Sequence, residues 1–380
     1  MMKVLISGGA GFIGSNLALK LMDRGYEVVL LDNLSQQIHG ENPEESYTYN
    51  LVRDKCELIV GDVTKFEDWR RALKSVDIVV HLAAETGTGQ SMYEINKYVD
   101  VNIGGTAKLM EVITNEINQV KKVVVAASRA VYGEGKFQCE EHGIVYPESR
   151  EDLDMSRGDF EVKCPICNQN VEMLPTDEES KLHPTSVYGH TKQSQEELCM
   201  IVGKSINLPV VAFRFQNVYG PGQSLKNPYT GILSIFSTRI KNGNDLNIFE
   251  DGLETRDFVY IEDITDSIIL GIENDNANFQ SFNVGSGEKI DVLTVANTLK
   301  EKYGSNVNIN VSGNYRLGDI RHNLGDLTKI RTLLGFEPKV KFTEGISNFV
   351  DWVEKQNVES DNYEASIEEM KKKGLYKRWN

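Results

Sequence analysis

Cysteine is scarce in this chain of 380 residues. The five thiols, Cys56, Cys139, Cys164, Cys167 and Cys199, are odd in number and fit the reducing cytoplasm better than a secreted disulfide framework. Long apolar runs are missing as well: no segment approaches the roughly 20 apolar residues that a membrane span needs. The opening run Met1 to Ser7 is short and meets a glycine cluster, without the apolar stretch and small-residue cleavage site of a signal peptide. Positive charge is in deficit. Lys+Arg 41 against Asp+Glu 56 leaves a net −15, which disfavours nucleic acid and anionic membrane and points to small-molecule partners. What remains is a chain with 40% hydrophobic residues, long enough for one large domain or two smaller ones, each with its own core.

Through the first half, short β-rich runs alternate with helical stretches: Val4 to Ser7, Phe12 to Arg24, Glu27 to Leu31, Glu67 to Lys74, Asp77 to Leu82, Val99 to Asn118 and Lys122 to Ala127. That rhythm predicts parallel βαβ units. The strands VLIS, VVLL, DIVVHL and KVVVAAS are nearly unbroken apolar runs, as expected when helices cover both faces of a doubly wound α/β sheet. After a long interruption the pattern resumes with a helix from Ser186 to about Lys204 and a strand Val210 to Phe215. Helices near Gly231 to Lys241, Glu262 to Glu273, Val292 to Tyr303 and Thr343 to Lys355 predict a smaller mixed α/β lobe. The charged tail, 356–380, reads as a peripheral helix or partly disordered.

Gly8-Gly9-Ala10-Gly11-Phe12-Ile13-Gly14 follows a strand and opens a helix. Glycines there let the backbone turn sharply and approach a pyrophosphate, while the first N–H groups of the helix face that anion. Asp32 ends the second strand, 18 residues after Gly14, where a carboxylate accepts from an adenosine ribose diol and repels a 2′-phosphate, favouring NAD over NADP. Asp62, after another strand, either lies near the adenine or caps the following helix.

On the helix after Ser186, Tyr188 and Lys192 are four residues apart and share a face. An ammonium beside a phenol lowers its pKa from about 10 and makes tyrosinate available as a base. Ser128, in Ser128-Arg129-Ala130-Val131-Tyr132-Gly133, stands at the C-terminal end of a strand, where such a sheet places its ligands. Its hydroxyl would hold a substrate oxygen while Tyr188 removes the proton.

The interruption, 134–181, is acidic: from Gly135 to Lys181 five basic residues face twelve acidic ones, a net −7. It carries Cys139-x-x-His142 and, after 21 residues, Cys164-x-x-Cys167. Two paired ligand sets at two-residue spacing predict a tetrahedral Cys3His zinc site, which with no open position is structural. The negative charge argues against nucleic acid as its partner.

The ordered set GGAGFIG, HLAA (His81 to Ala84), SRAVYG, Y-x-x-x-K, FQNVYGP (Phe215 to Pro221) and RDFVYIEDI (Arg256 to Ile264) resembles the extended short-chain dehydrogenase/reductase family in its nucleotide-sugar epimerase branch, from Met1 to about Lys355 apart from the insertion. The resemblance implies a Rossmann domain, 1–216, that binds NAD and bears a zinc-ribbon-like insertion at 134–181. It also implies a lobe, 217–355, that binds a nucleoside diphosphate sugar, with some segments returning to the first domain. Carried over residue by residue, it assigns Ser128, Tyr188 and Lys192 to catalysis. It assigns Gly8, Gly11, Phe12, Ile13, Gly14, Asp32, Asn33, Asp62, Val63, Leu82, Ala83, Ala84 and Asn102, with Tyr188 and Lys192, to the cofactor. Ser128, Asn217, Arg256, Arg316 and Asp319 fall to the substrate, the arginines suiting diphosphate oxygens. Paired helices in the family's dimers imply a homodimer. The family's dehydratases carry an Asp-Glu pair after the residue equivalent to Ser128; Arg129-Ala130 stands here, which leaves 4-epimerisation as the simplest chemistry. Gly89 to Ile95 and Asn227-Pro228-Tyr229-Thr230-Gly231 resemble the dTDP-L-rhamnose 4-epimerase group, while Glu85 to Thr88 and Arg129 depart from the smaller apolar residues expected there. A UDP-hexose is the other substrate class. Rival readings are a 4-dehydrogenase or reductase that releases its keto product, which stoichiometric NADH would reveal, and a non-catalytic NAD-binding scaffold, which the retained Tyr and Lys oppose.

Overall fold

The computed structural model describes residues 2–379 except 228 and 230, so two positions of the Asn227 to Gly231 motif lie outside the described residues. Seven strands form one sheet: β1 Lys3–Ser7, β2 Glu27–Asp32, β3 Glu57–Val60, β4 Ile78–His81, β5 Lys122–Ser128, β6 Val210–Phe215 and β7 Gln280–Val284. Their order is β7-β6-β5-β4-β1-β2-β3, and every pairing is parallel. The apolar runs read from the sequence are buried on both faces: all seven residues of β5 and all six of β6 are buried.

One face is covered by helices Phe12–Asp23, Ile261–Glu273 and Thr328–Leu334, the other by Phe66–Ala72, Gly105–Asn115 and Val187–Ser205. The helix after the glycine turn buries Gly14, Leu17, Ala18 and Leu21, spacings of three and four residues that put one apolar stripe on the sheet. The stretch read as one helix from Val99 to Asn118 is a π turn, Val99–Gly104, followed by an α-helix ending at Asn115. The Asn118 amide donates to the carbonyls of Ile113 and Glu116 and so satisfies backbone groups that the helix end leaves open.

A second core gathers around Tyr219, Phe258, Ile346 and Phe349, while Ile264 to Val284 and Leu327 to Phe336 pack into the core of the seven-stranded sheet. The insertion folds as a three-stranded antiparallel sheet, Gly143–Val145, Phe137–Cys139 and Glu172–Met173. The tail takes the helical one of its two expected forms, but it is packed down rather than peripheral. It forms a helix, Tyr363–Lys372, that buries Tyr363, Ser366, Ile367 and Met370, then a short strand, Tyr376–Lys377, antiparallel to Tyr315–Arg316. An apolar stripe of Tyr363, Ile367 and Met370, at i, i+4 and i+7, holds it down despite its charge. Among the described residues no helix is long and apolar enough to cross a membrane.

Candidate active site

The C-terminal ends of β1, β2, β4, β5 and β6 open onto one cavity of about 710 Å³ that runs into the second lobe. At one end lies the glycine turn. A Cβ on Gly14 would stand 2.2 Å from the Gly8 carbonyl oxygen, so the turn closes only around glycine. Gly8, Gly11, Phe12, Ile13 and Gly14 line the cavity, as do Asn33, Val63, Leu82, Ala83 and Ala84. Asp32, buried at the end of β2, accepts from the backbone N–H of Ala10 and Leu34 at 3.0 and 2.9 Å. Burial pushes its carboxyl up, against those donors and the nearby His39. This glycine cradle with a buried carboxylate beside it fits the adenosine diphosphate half of NAD.

Two expected cofactor residues are not on the cavity wall. Asp62 turns its carboxylate onto the Thr64 N–H and hydroxyl, both at 2.8 Å, an Asx turn of the kind that opens a helix. Its neighbours Gly61 and Val63 reach the cavity instead. Asn102, fully buried in the π turn, bonds the Glu85 N–H at 2.7 Å and the Thr191 hydroxyl at 2.9 Å, and so ties the wall at Glu85 to the Tyr188 helix.

Ser186 caps that helix by accepting from the Gly189 N–H at 3.1 Å. A Cβ on Gly189 would meet the Ala130 carbonyl at 2.6 Å; the glycine lets the helix press on the turn after Ser128 and brings Tyr188 to the serine. Burial raises the Tyr188 phenol, while the neighbouring Ser128 hydroxyl and the charge of Arg129 pull it down. The expected ammonium is elsewhere: Lys192 donates to the Ala126 carbonyl at 2.8 Å, because a buried cation takes the nearest acceptor. Burial lowers its pKa to about 7. Arg129 lines the cavity; burial first, then Arg256, lower its pKa to about 10.

At the far end the Asn217 Oδ1 is buried without a partner. Arg256 donates to the carbonyls of Thr255, Ile320 and Arg321 at 2.9–3.0 Å. Arg316 pairs with Asp319 at 2.7 Å. All four line the cavity. Sequence reasoning missed His39, 3.8 Å from Asp32, the tail residues Tyr363 and Met370, and Glu254, whose Oε2 is buried with no partner. No local pattern marks these residues.

In the insertion the donor atoms of Cys139, His142, Cys164 and Cys167 lie within 4.8 Å of one another. The Cys139 Sγ is 3.5 Å from His142 Nδ1 and 3.7 Å from Cys167 Sγ, and Cys164 Sγ is 3.8 Å from the same nitrogen. A tetrahedron with metal–sulfur bonds of about 2.3 Å has edges of about 3.8 Å, so the set fits zinc. The Ile166 N–H points at Cys164 Sγ at 3.5 Å, as in a knuckle.

The profile of the NAD dependent epimerase/dehydratase family matches residues 4–150 and 167–285. The chain belongs to this family. Its gap, 151–166, falls inside the insertion. A dTDP-L-rhamnose 4-epimerase from Burkholderia thailandensis is 37% identical over 92% of this chain and 94% of its own length. A UDP-glucose 4-epimerase from Thermotoga maritima, solved with UDP-glucose, superposes with a TM-score of 0.75 at 29% identity, covering 93% of this chain and 99% of its own. A UDP-glucuronic acid 4-epimerase from Bacillus cereus, in complex with UDP-glucuronic acid and NAD, superposes equally well at 25% identity over the same shares.

Proposed function

We propose that this family member is an NAD-dependent nucleotide-sugar 4-epimerase. The observation that carries the reading is that half-buried Tyr188 shares with Ser128 and Lys192 the wall of one cavity that joins the glycine turn to Arg256 and Arg316. NAD, when bound, supplies the acceptor and donor of the C4 hydride. Tyr188 Oη takes the proton of the 4-hydroxyl and later returns it. Ser128 Oγ holds the same oxygen, and Arg129 favours the phenolate. Arg256 and Arg316 bind the diphosphate, Asp319 and Asn217 orient the nucleotide sugar, and Asp32 takes the adenosine ribose. Lys192, one helical turn from Tyr188, binds the nicotinamide ribose. The turn after Ser128 offers Arg129-Ala130 and no second acid and base, so the keto sugar returns to an alcohol of inverted configuration.

The two-lobe division is 1–216 and 217–355, with the helix Ile261–Glu273, the strand Gln280–Val284 and the helix Thr328–Leu334 returned to the first. The relative named above makes dTDP-L-rhamnose, or another dTDP-6-deoxyhexose, the first substrate to try, and UDP-hexoses the second. Zinc is held by Cys139, His142, Cys164 and Cys167 and closes the insertion. Five cysteines with no disulfide among the described residues fit a cytoplasmic enzyme, and exposed Val99 and Ile201, on the two helices that resemble the family's pairing helices, favour a homodimer.

Incubation with dTDP-L-rhamnose and UDP-hexoses, followed by NMR, should yield a C4 stereoisomer. Tyr188→Phe should lower turnover by about 10²–10⁴-fold with NAD content unchanged. A variant that keeps a tenth of the activity would remove Tyr188 as the base.

A further inference from the structure

The insertion does not hang from the surface as an independent module. Its Arg150 side chain, 3% exposed, donates from both terminal nitrogens to Glu250 of the second lobe at 2.7 Å. The same guanidinium donates to the Asp319 carbonyl at 2.8 Å and to the Phe160 carbonyl at 3.0 Å. Eleven residues on, Glu161 accepts from Arg321 Nε and Nη2 at 3.0 and 2.6 Å. Arg321, with no exposed surface, also reaches Glu250 and Asp251. Tyr315 donates to Asp152 at 2.7 Å and packs with Met155 and Phe160.

Apart from the Arg150–Glu250 pair, the contacts that cross from the insertion to the second lobe land on Tyr315 to Arg321. That stretch carries Arg316 and Asp319, and its carbonyls at Ile320 and Arg321 hold the Arg256 guanidinium. Three candidate nucleotide-sugar contacts, Arg256, Arg316 and Asp319, therefore rest on one inserted element. Its own core is five buried residues, two of them cysteines of the four-ligand set, too small to persist without a cross-link. Phe160, Glu161 and Val162 run directly into Cys164.

From this we infer that the insertion is a positioning element for nucleoside diphosphate binding, and that occupancy of its Cys3His site sets the affinity of the cavity for the diphosphate. Arg150 and Glu161 act through Asp319, Arg321 and Arg256 and touch no substrate. The inference rests on reading the far end of the cavity as a diphosphate site.

The test uses the full chain with NAD bound. Calorimetry with dTDP and with UDP should show binding weakened between about ten- and a hundredfold in Cys164→Ser and in Arg150→Met, the cost of displaced contacts. Zinc should be lost only in the first, and NAD content should match wild type in both. With a sugar that is turned over, KM should rise by the same factor while kcat changes much less. Should Arg150→Met fail to fold, Glu161→Gln, at a half-exposed position, reads the same connection. A folded, zinc-free chain that binds dTDP as wild type does would overturn the inference, as would loss of nucleotide binding matched by equal loss of NAD. A wild-type chain that binds neither dTDP nor UDP sinks the inference together with the diphosphate reading. If no sugar is epimerised but the affinity pattern holds, the inference stands and the epimerase reading alone falls.

Discussion

A phenol and a guanidinium share the wall of the cavity at Tyr188 and Arg129, and each shifts the other's charge. Burial lifts the phenol while Arg129 draws it down; burial strips the arginine of water with no ion pair among the described residues to replace it. Removing the cation lets the phenol rise, so in Arg129→Met the acid limb of the turnover profile should move to higher pH, and an unmoved limb would take Arg129 out of the electrostatics of the base. Glu254 makes a second case. Its carboxyl is raised from 4.5 to about 7, by burial first and by Glu250 second, so the folded chain holds this proton more tightly than the unfolded chain. The stabilisation is complete below the ordinary carboxylate range and is lost as pH rises through about 7. Without nucleotide, Glu254→Gln should match wild type in thermal melting near pH 5 and exceed it near pH 8. An equal difference at both pH values would mean that the residue does not titrate there. The positions legible in sequence at this scale are those fixed by the backbone: Gly14 at a turn, Asp32 and Ser128 at strand ends, Tyr188 in the first turn of a capped helix. The direction of the Lys192 ammonium was not legible, since a four-carbon stem reaches whichever carbonyl the fold brings near.

At the scale of elements, βαβ strands declare themselves because burial on both faces leaves them uniformly apolar. The π turn at Val99–Gly104 does not, because its spacing differs from α by one residue. The edge strand Gln280–Val284 is defined only by the exposed side of β6, 65 residues earlier in the chain. The packing of the tail helix was hidden for a related reason: Glu364, Glu368, Glu369 and three lysines from 371 to 373 mask an apolar stripe of three residues. That stripe lines the nucleotide-sugar end of the cavity with Tyr363, Ile367 and Met370, and the helix is tied across by Tyr229 to Glu369. Burying one such side chain is worth about 1.5–3 kcal/mol, and 1.4 kcal/mol is about tenfold in affinity. A chain ending at Gln356 should therefore retain NAD while its KM for the nucleotide sugar rises about tenfold or more. An unaltered KM would return the tail to the periphery.

Taken whole, the molecule puts both ligand ends in one cavity rather than two. The segment from Ser35 to Thr48 closes over the Asp32 end, and it is held there from the other lobe: Tyr47 meets Trp352 edge-on at 5.3 Å. Lys226, whose ammonium lies 3.1 Å from the site of a Cβ on Gly40, pairs with Glu359 at 3.6 Å. A dinucleotide enclosed by both lobes is poorly arranged for exchange at every turnover, which a dehydrogenase requires, and well arranged to give back what it takes. The two cases separate with a sugar deuterated at C4. Oxidation and return within one closed cavity should leave the deuterium on C4 of the inverted product, with no NADH in solution and no label lost to added unlabelled NADH. A releasing dehydrogenase would accumulate reduced cofactor in proportion to substrate and dilute the label, because the hydride would leave the cavity with its carrier before a second sugar arrived.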